Sequence, residues 1–412
     1  MSARKIILSV IMFLYLTTFC TPPVWAAPQV VGQSAVLIDA RSGKILFEKN
    51  GAVRMAPAST TKVVTGIIAI ELSEPTDIVT AGKNSTIVEP SAIGLKEGET
   101  IPMENLLYSL LLKSANDAAI AIAEHIAGSV PQFTALMNQK AREWGATGSN
   151  FVNPNGLPDD NHYSTARDLA VIAGHAMKNP EFRKIVATKV KVIPRADDSA
   201  VKWLENHNRL LWRYDGANGI KTGYTRQAKQ CLIASAAKGD QEFIAVILAS
   251  EGNNIWTDAK TLLDYGFANF ATYKQTDANR PVTTIKVADG TKNVTLLTKE
   301  DFYYTLPKGQ TADVTHKIEL NKNIMAPVKK GQVLGKLKYY IAGSEIGAVS
   351  LIAQEDVPVK TLTFTVTNKS VPANPLLVGA LVLGLFIVWH IRKRRRRMKS
   401  SNRLWINRNL LK

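Results

Sequence analysis

Cysteine is scarce in this sequence of 412 residues, which contains only Cys20 and Cys231. Cys20 lies in an N-terminal segment with the features of a cleaved signal, so the mature chain keeps one thiol. A single cysteine cannot form an intrachain disulfide, even outside the cytoplasm. Histidine is scarce too, and the six histidines do not show the spacing of metal ligands. The sequence therefore predicts neither a disulfide nor a metal site.

Acidic residues are absent from both ends of the chain. Residues 392–412 contain ten lysines or arginines, and residues 1–26 add Arg4 and Lys5. Of the formal net charge of +17, only +5 therefore belongs to residues 27–391. Basic residues that flank apolar segments are topology signals of exported and membrane proteins. The positive charge is therefore no evidence for binding to nucleic acid.

The longest apolar runs lie at the same two ends. The first runs from Ile6 to Phe19 and precedes the small residue Ala26, which predicts a secretory signal peptide over residues 1–26. The second, Leu376 to Ile391, would span about 24 Å as a helix, slightly less than a hydrocarbon core of ~30 Å.

The basic run RKRRRRMK follows the second apolar run directly. This order favours a transmembrane anchor over residues 375–391 and a cytoplasmic tail over residues 392–412, rather than a buried core helix. We therefore expect a single-pass protein of the cell membrane whose main part lies outside the cytoplasm.

The region between the ends has two textures. Residues 27–272 mix strand and helix patterns, and from about residue 276 the sequence changes to short runs rich in valine, threonine and isoleucine. We therefore predict a mixed domain over 27–272 and a small all-β domain over 276–370. The elements predicted in the first domain are two strands within 29–50, a buried helix from Ser59 to about Leu72, helices near 103–113 and 117–127, a helix after Ser164-Thr165, a strand pair opening at Gly219–Tyr224 and a helix over 257–270.

Two polar residues stand at the start of the predicted buried helix. In MAPASTTKVVTG, Ser59 precedes Lys62 by three residues, so both side chains lie on one helix face. In one interpretation, Ser59 or Thr60 caps the helix and Lys62 extends into solvent. In the other, Ser59 is a nucleophile and Lys62 is its base, because apolar surroundings or a second lysine lower the pKa of a lysine. The helix N-terminus would then stabilise a developing oxyanion.

Two later tripeptides could complete such a site. Ser114-Ala115-Asn116 lies between two predicted helices and offers a hydroxyl and an amide; alternatively, it caps the second helix. Lys221-Thr222-Gly223 opens a strand pattern, where lysine and threonine could hold a carboxylate and glycine lets a substrate lie close to the backbone. Alternatively, it is an ordinary start of a strand. Taken singly, each tripeptide leaves both interpretations open.

The order S-x-x-K, S-x-N and K-T-G, at positions 59, 114 and 221, resembles the signature elements of the penicillin-recognising serine enzymes. The segments NPNGLPDDNHYSTARDLA, NHNRLL and DGANGIKTGYTRQAKQCLIASA look like those of serine D-alanyl-D-alanine carboxypeptidases, the low-molecular-mass penicillin-binding proteins. IMAPVKKGQVLGKLKYYIAG is similar to their C-terminal β domain. The resemblance extends over roughly residues 30–370.

The resemblance implies a mixed α/β (α+β) catalytic domain, in which helices flank a five-stranded antiparallel sheet and the active site faces a helical lobe. It implies attack by Ser59 on the terminal D-Ala–D-Ala bond of peptidoglycan stem peptides, release of D-alanine, and hydrolysis of the acyl-enzyme by water. Lys62 would activate Ser59, and Ser114 would pass the proton to the leaving amine. β-Lactam antibiotics would bind covalently, and no metal or cofactor is implied.

The substrate-binding residues are implied by the same resemblance. Asn116 would hold the substrate amide, and Lys221 and Thr222 would bind the terminal carboxylate beside Gly223. The backbone N–H groups of Ser59 and Tyr224 would form the oxyanion hole.

The sequence departs from the family pattern at one position. An arginine that aids carboxylate binding in related sequences aligns here with Ile255, which puts the strength of that binding in doubt. We expect His162 to be structural.

Three alternatives remain. A β-lactamase would need a glutamate for deacylation, and neither Glu124 nor Glu143 lies in a matching context. A non-catalytic penicillin sensor or wall scaffold would usually carry a cytoplasmic signalling domain, for which the 21 residues after Ile391 are too few. An endopeptidase or transpeptidase stays open, because the shape of the cleft decides between water and an amine as the acceptor.

Overall fold

A computed structural model describes residues 27–195, 197, 200–361 and 375–409. The predicted signal peptide, residues 1–26, lies outside the described residues. The chain divides into two compact units, Met1–Pro358 and Val359–Lys412.

The first part of unit one mixes strands and helices, as predicted. Its strands are β1 Ser34–Asp39, β2 Ile45–Lys49, β3 Ile78–Thr80, β4 Thr100–Pro102, β5 Val190–Val192, β6 Trp203–Glu205, β7 Ala217–Thr225, β8 Lys229–Lys238 and β9 Gln241–Ser250. Its helices are α1 Lys62–Leu72, α2 Lys83–Thr86, α3 Met103–Leu111, α4 Asn116–Ala127, α5 Val130–Glu143, α6 Ala166–Ala176, α7 Pro180–Ala187, α8 Leu210–Arg213 and α9 Asn254–Asn269, and a 3-10 turn, Ala58–Thr61, precedes α1.

Five strands form one antiparallel sheet in the order β2-β1-β9-β8-β7. Side chains of β1 alternate between two cores, because successive residues of a strand point to opposite faces. Val36 and Ile38 pack in the core that they share with α1 and α3–α7, which we call the helical lobe, whereas Ala35 and Leu37 pack in the core shared with α9. Strand β7 lies at the edge of the sheet, so one row of its backbone N–H and C=O groups is left unpaired by the other strands.

Two of the differences between the predicted and observed helix boundaries lie at candidate site residues. Helix α1 begins at Lys62, so Ser59 belongs to the 3-10 turn before it. Short 3-10 turns are common at the N-termini of α-helices. Helix α3 ends at Leu111 rather than near 113, and Ser114 has a φ of +63°, which cannot continue a right-handed helix.

The second part of unit one is an all-β domain, as predicted. Its strands are β10 Phe270–Thr276, β11 Pro281–Ile285, β12 Val294–Thr298, β13 Phe302–Pro307, β14 Val314–Leu320, β15 Val333–Ile341 and β16 Ser344–Ala353. Five of them form a sheet in the order β11-β12-β16-β15-β14, and β10 pairs with β13. Phe302 stacks on Tyr339 in its core, with ring centroids 4.1 Å apart. The buried Asp39 carboxylate at the end of β1 joins the two parts by accepting hydrogen bonds from Thr272 and Thr305.

Unit two contains helix α10, Pro375–Asn409, which includes the predicted anchor and continues into the basic tail. Within the described part of the chain, no helix has both the length and the apolar character that crossing a membrane requires. The anchor therefore stays a prediction.

Candidate active site

The residues singled out in the sequence converge on one cleft between β7 and the helical lobe. Lys62 and Lys221 are buried, with 0% and 1% of their surfaces exposed. A second cavity, of about 590 Å³, lies between the β1–β2 turn and α6 and contains none of the predicted residues. The residues that line the cleft, a cavity of about 470 Å³, include Ser59, Ser114, Asn116, Thr222, Gly223 and Tyr224.

The Lys62 amine is held by three oxygen atoms. Its Nζ lies 2.9 Å from Ser59 Oγ, 2.7 Å from Asn116 Oδ1 and 2.6 Å from the Asn155 carbonyl oxygen. The last two oxygens can only accept hydrogen bonds, so both must receive a Lys62 N–H. A neutral amine has two such hydrogens and one lone pair. Once both hydrogens are engaged, the lone pair faces the Ser59 hydroxyl, which is the arrangement of a base beside its nucleophile.

The surroundings of Lys62 favour this neutral form. Burial lowers the pKa of Lys62 well below its ordinary value, and the nearby positive charge of Lys221 lowers it further. The carboxylate of Asp117 acts in the opposite direction. Desolvation and a like charge both disfavour a buried ammonium. Lys62 is therefore able to accept a proton at a pH where an exposed lysine could not.

Two residues of the site have backbone conformations that residues other than glycine rarely adopt. Ala58, directly before Ser59, has a φ of +47°, and Ser114 has a φ of +63°. Such conformations are unfavourable and persist where surrounding contacts impose them, often at functional sites. The Ala115 N–H donates to the Ser109 carbonyl oxygen, and the Asn116 N–H donates to the Ser91 carbonyl oxygen. These two hydrogen bonds hold the segment around Ser114 in place.

Two glycines let the backbone of neighbouring segments approach Ser59. A Cβ atom on Gly223 would lie 2.9 Å from the Ser59 backbone nitrogen. A Cβ on Gly156, whose φ is +84°, would lie 1.9 Å from the Ala58 carbonyl oxygen. The glycine of K-T-G therefore brings edge strand β7 against the turn that carries the nucleophile. Tyr224, the next residue on β7, and Ser59 are the residues from which we predict the oxyanion-hole N–H groups.

Asn155 is a site residue that the sequence analysis missed, because its backbone carbonyl rather than its side chain contacts Lys62. The adjoining Pro154 carbonyl accepts a hydrogen bond from Thr65 Oγ1 over 2.6 Å, which fixes this segment against α1. The available signal was the tripeptide Pro154-Asn155-Gly156, whose glycine occupies a left-handed conformation at a crowded position.

His162 has a structural position beneath the nucleophile turn. The Val152 N–H donates to His162 Nδ1, so Nε2 carries the proton of the neutral ring and donates to Thr61 Oγ1 over 2.8 Å. Burial lowers the pKa of His162 to about 4. A neutral ring that links Thr61 to the segment after α5 agrees with the structural role we expected.

The side chains of the S-x-N element have different environments. Asn116 Oδ1 receives Lys62, and its Nδ2 donates to the Glu89 carbonyl oxygen over 2.8 Å, which leaves one amide hydrogen for a substrate. Ser114 lines the cleft, but the hydrogen bonds of the described residues do not join its hydroxyl to Ser59 or Lys62. Such contacts often tighten only when substrate is bound. The relay role of Ser114 thus stays a prediction.

Lys221 makes a hydrogen bond within the protein and, when it is charged, can also bind an anion. Its Nζ donates to the Thr222 carbonyl oxygen over 2.9 Å, and burial lowers its pKa to about 7. A carboxylate that enters the cleft would favour the charged form of this lysine. Lys221 therefore combines a structural contact with the capacity to bind an anion.

The interpretation of Ile255 as a cleft residue is wrong. Helix α9 begins at Asn254, three residues earlier than predicted, and its first turn directs Ile255 into the core behind the sheet, where it is 2% exposed. The cleft wall near the start of α9 instead contains Asn253 and Trp256. Arg209, which the sequence analysis did not single out, also lines the cleft, and its guanidinium lies 5.9 Å from the Trp256 ring centroid.

A serine hydroxyl within hydrogen-bond distance of a buried lysine whose pKa is lowered is the arrangement of a serine hydrolase that works through an acyl-enzyme. Comparison with known proteins narrows this class. Residues 22–252 match the family model of D-alanyl-D-alanine carboxypeptidases of the peptidase S11 type, and residues 270–359 match the C-terminal domain of penicillin-binding protein 5. The chain belongs to the D-alanyl-D-alanine carboxypeptidase family, and the predicted family membership is confirmed.

Several relatives are similar along most of their length. D-alanyl-D-alanine carboxypeptidase DacF of Bacillus subtilis is 36% identical over 333 residues, which are 79% of this chain and 85% of the relative. DacA of Haemophilus influenzae is 36% identical over 346 residues, 80% and 86% of the two chains.

Solved structures of related proteins have the same fold. Penicillin binding protein 5 from H. influenzae has a TM-score of 0.64 at 35% identity, covering 81% of this chain and 99% of that one. A Streptomyces DD-transpeptidase has a TM-score of 0.56 at 31% identity, covering 58% of this chain and 99% of that one. The mixed α/β catalytic domain and the all-β domain are therefore both confirmed.

Proposed function

We propose that this enzyme removes the terminal D-alanine from peptidoglycan stem peptides that end in D-Ala-D-Ala, through an acyl-enzyme on Ser59. One observation carries the proposal. Lys62 Nζ lies 2.9 Å from Ser59 Oγ, and two carbonyl oxygens accept its other hydrogens, so the neutral amine would present its lone pair to the Ser59 hydroxyl.

In the acylation step, Lys62 accepts the Ser59 proton while Ser59 Oγ attacks the carbonyl carbon of the penultimate D-alanine. The N–H groups of Ser59 and Tyr224 stabilise the oxyanion of the tetrahedral intermediate. The C–N bond then breaks, and the proton held by Lys62 reaches the leaving amine through the Ser114 hydroxyl. D-alanine departs, and the peptide remains as an ester of Ser59.

In the deacylation step, water attacks the ester, Ser59 regains its proton, and the shortened peptide leaves as a carboxylic acid. The amide of a β-lactam ring enters the same first step, and its opened ring remains attached to Ser59 as an ester. β-Lactam binding fits the family to which the chain belongs. The activity is tested by incubating the enzyme with a pentapeptide ending in D-Ala-D-Ala and assaying free D-alanine, with penicillin as the competitor.

Thr222 and Lys221 are expected to select substrates with a free terminal carboxylate. A hydrogen bond to a charged group is worth about 1.5–3 kcal/mol, or roughly 10- to 150-fold in an equilibrium constant. Thr222→Ala should therefore lower kcat/KM by about that factor for a D-Ala-D-Ala acid and much less for the corresponding amide. Thr222→Ser, which keeps the hydroxyl, is the matched control and should restore the preference. Equal losses on the acid and the amide would exclude this role.

Transfer to an amine acceptor is the second candidate activity. The similarity to a Streptomyces DD-transpeptidase favours testing it, because that structure aligns over nearly its whole length. Adding a D-amino acid to the reaction and separating the products would distinguish hydrolysis from exchange of the terminal residue.

We also propose that the protein is exported by residues 1–26 and held at the membrane by residues 375–391, with its catalytic part outside. The support is the apolar run followed by ten cationic residues without an acidic one. Thinning of the bilayer and extension of basic side chains towards the interface would compensate for the short run. The all-β domain would then be a spacer that lifts the cleft towards the wall.

A protein limited to residues 27–370 should therefore be soluble, react with penicillin, and release D-alanine from small peptides at nearly the rate of the full chain. With an export signal restored, it should leave the membrane fraction of cells. Fractionation with penicillin labelling measures both properties. A truncated protein that stays with the membrane would contradict the anchor, and one that loses activity on soluble peptide would contradict the spacer.

A further inference from the structure

The segment Asn206–Arg209 presents two side chains to the cleft from a fixed backbone. Asn206 is buried, and its Nδ2 donates to the carbonyl oxygens of Val186 and Thr188. Its Oδ1 accepts a hydrogen bond from the Asn208 N–H, and Asn208 Oδ1 accepts one from the Leu210 N–H. Such bonds from asparagine side chains to nearby backbone fix turns. His207 and Arg209, which alternate with these two asparagines, are exposed on this fixed backbone.

His207 and Arg209 stand between two cavities. Both line the catalytic cleft, and both also line an adjoining cavity of about 580 Å³. We call this second cavity the outer compartment. Its remaining lining residues are Lys113, Glu205, Asn206, Trp212 and Arg213.

The outer compartment is positively charged. Lys113, Arg209 and Arg213 contribute three cations, whereas Glu205 is the one carboxylate among the lining residues. Within the described part of the chain, none of the three cations forms an ion pair, although Lys113 is half-buried. Desolvation and the charges of Lys221 and Lys113 lower the pKa of His207 to about 4, so His207 is neutral at pH 7. A cavity with unpaired cations favours an anionic ligand.

The outer compartment lies on the leaving-group side of the reaction. His207 and Arg209 line the catalytic cleft together with Thr222 of K-T-G, and the same two residues line the outer compartment, so the two cavities meet there. In the proposed mechanism, Lys221 and Thr222 hold the carboxylate of the departing residue. A larger leaving group would therefore extend past His207 and Arg209 into the outer compartment.

We propose that the outer compartment binds a second carboxylate on the leaving group. The enzyme would then also hydrolyse D-alanyl bonds to amino acids or peptides that carry an acidic side chain. The inference rests on the proposed function and names a leaving-group specificity for the same site. The chemistry is unchanged: Ser59 forms the ester, the D-alanyl C–N bond breaks, and the leaving amine takes the proton.

The test compares two leaving groups of nearly equal shape. Acyl-D-Ala-D-Glu and acyl-D-Ala-D-Gln differ in the charge of the terminal side chain, and release of the free amino acid from each gives kcat/KM. We expect the D-Glu substrate to be preferred at low salt and the preference to fall as salt rises. Lys113→Ala and Arg213→Ala should each reduce the ratio about two- to fivefold, which is the range for an exposed charge pair.

Two further variants control for charge. Glu205→Gln removes the negative charge of the same compartment and should increase the preference for D-Glu. Lys336→Ala removes an exposed cation from β15 of the all-β domain and should leave the ratio unchanged. If the ratio of kcat/KM for the D-Glu and D-Gln substrates is the same in wild type and in the Lys113, Arg213 and Glu205 variants, the inference is overturned. Release of D-alanine from D-Ala-D-Ala by the same proteins shows whether the proposed function itself holds.

Discussion

Replacing Ser59 by alanine is expected to abolish covalent labelling by fluorescent penicillin and to abolish release of D-alanine from a pentapeptide. The change removes the only atom that forms the ester in the proposed mechanism. Removing a covalent nucleophile typically costs several orders of magnitude in rate. Labelling on a denaturing gel measures the ester directly, and thermal unfolding shows whether the variant remains folded.

The matched control is another serine in an S-x-x-K sequence. Ser235 precedes Lys238 by three residues, but both lie in strand β8, where residues three apart point to opposite faces. Ser235 is fully buried and donates a hydrogen bond to Asn218 Oδ1. Ser235→Ala should therefore retain penicillin labelling even if it loses some stability. Labelling that survives in the Ser59→Ala protein would contradict the assignment of the nucleophile.

This contrast explains how much of the site the sequence could predict. Ser59 and Lys62 are separated by a single turn, so the local pattern was sufficient to place their side chains together. The relation to Ser114 and Lys221 came from the order of three short elements, whose convergence depends on the whole fold. The fold class was predictable for the same reason, because these elements resemble those of a known family.

Other features depended on tertiary contacts that short patterns do not contain. The Asn155 carbonyl reaches Lys62 from 93 residues away and uses no side-chain atom. The burial of Ile255 depends on where α9 begins, because the observed start at Asn254 places Ile255 in the first helical turn, whereas the predicted start at residue 257 leaves it in the preceding loop. The exposure of Arg209 follows from the burial of Asn206 and Asn208. The sequence alone does not reveal this burial, because a run of polar residues is equally typical of a solvated loop.

Replacing Lys221 by methionine is expected to impair catalysis and to stabilise the fold at neutral pH. Lys221 is 1% exposed, and burial lowers its pKa to about 7, whereas an unfolded chain has a lysine pKa near 10.4. Between these values the unfolded state binds more protons, so the free energy of unfolding rises with pH. The free-energy cost of burying Lys221 is therefore greatest below pH 7 and disappears above the pKa of lysine in the unfolded chain. It amounts to at most about 4 kcal/mol at pH 7.

The same substitution should change the pH dependence of acylation. The charge of Lys221 helps to lower the pKa of Lys62, so its removal raises that pKa and leaves less neutral Lys62 at a given pH. The acid limb of the limiting acylation rate should therefore move to higher pH. The effect should be largest below about pH 7, where Lys221 is charged. Penicillin labelling at saturating concentration measures this rate independently of weakened carboxylate binding.

Thermal unfolding of wild type and Lys221→Met between pH 6 and 9 separates the two consequences. The variant should be the more stable protein at pH 6, and the difference should shrink as the pH rises and wild-type Lys221 loses its proton. Lys336→Met provides the control, because it replaces an exposed lysine and should give a small difference that does not vary with pH. A Lys221→Met protein that is less stable at every pH would show that the contact with the Thr222 carbonyl outweighs the cost of burying the charge. An unchanged acid limb would show that Lys221 does not tune Lys62.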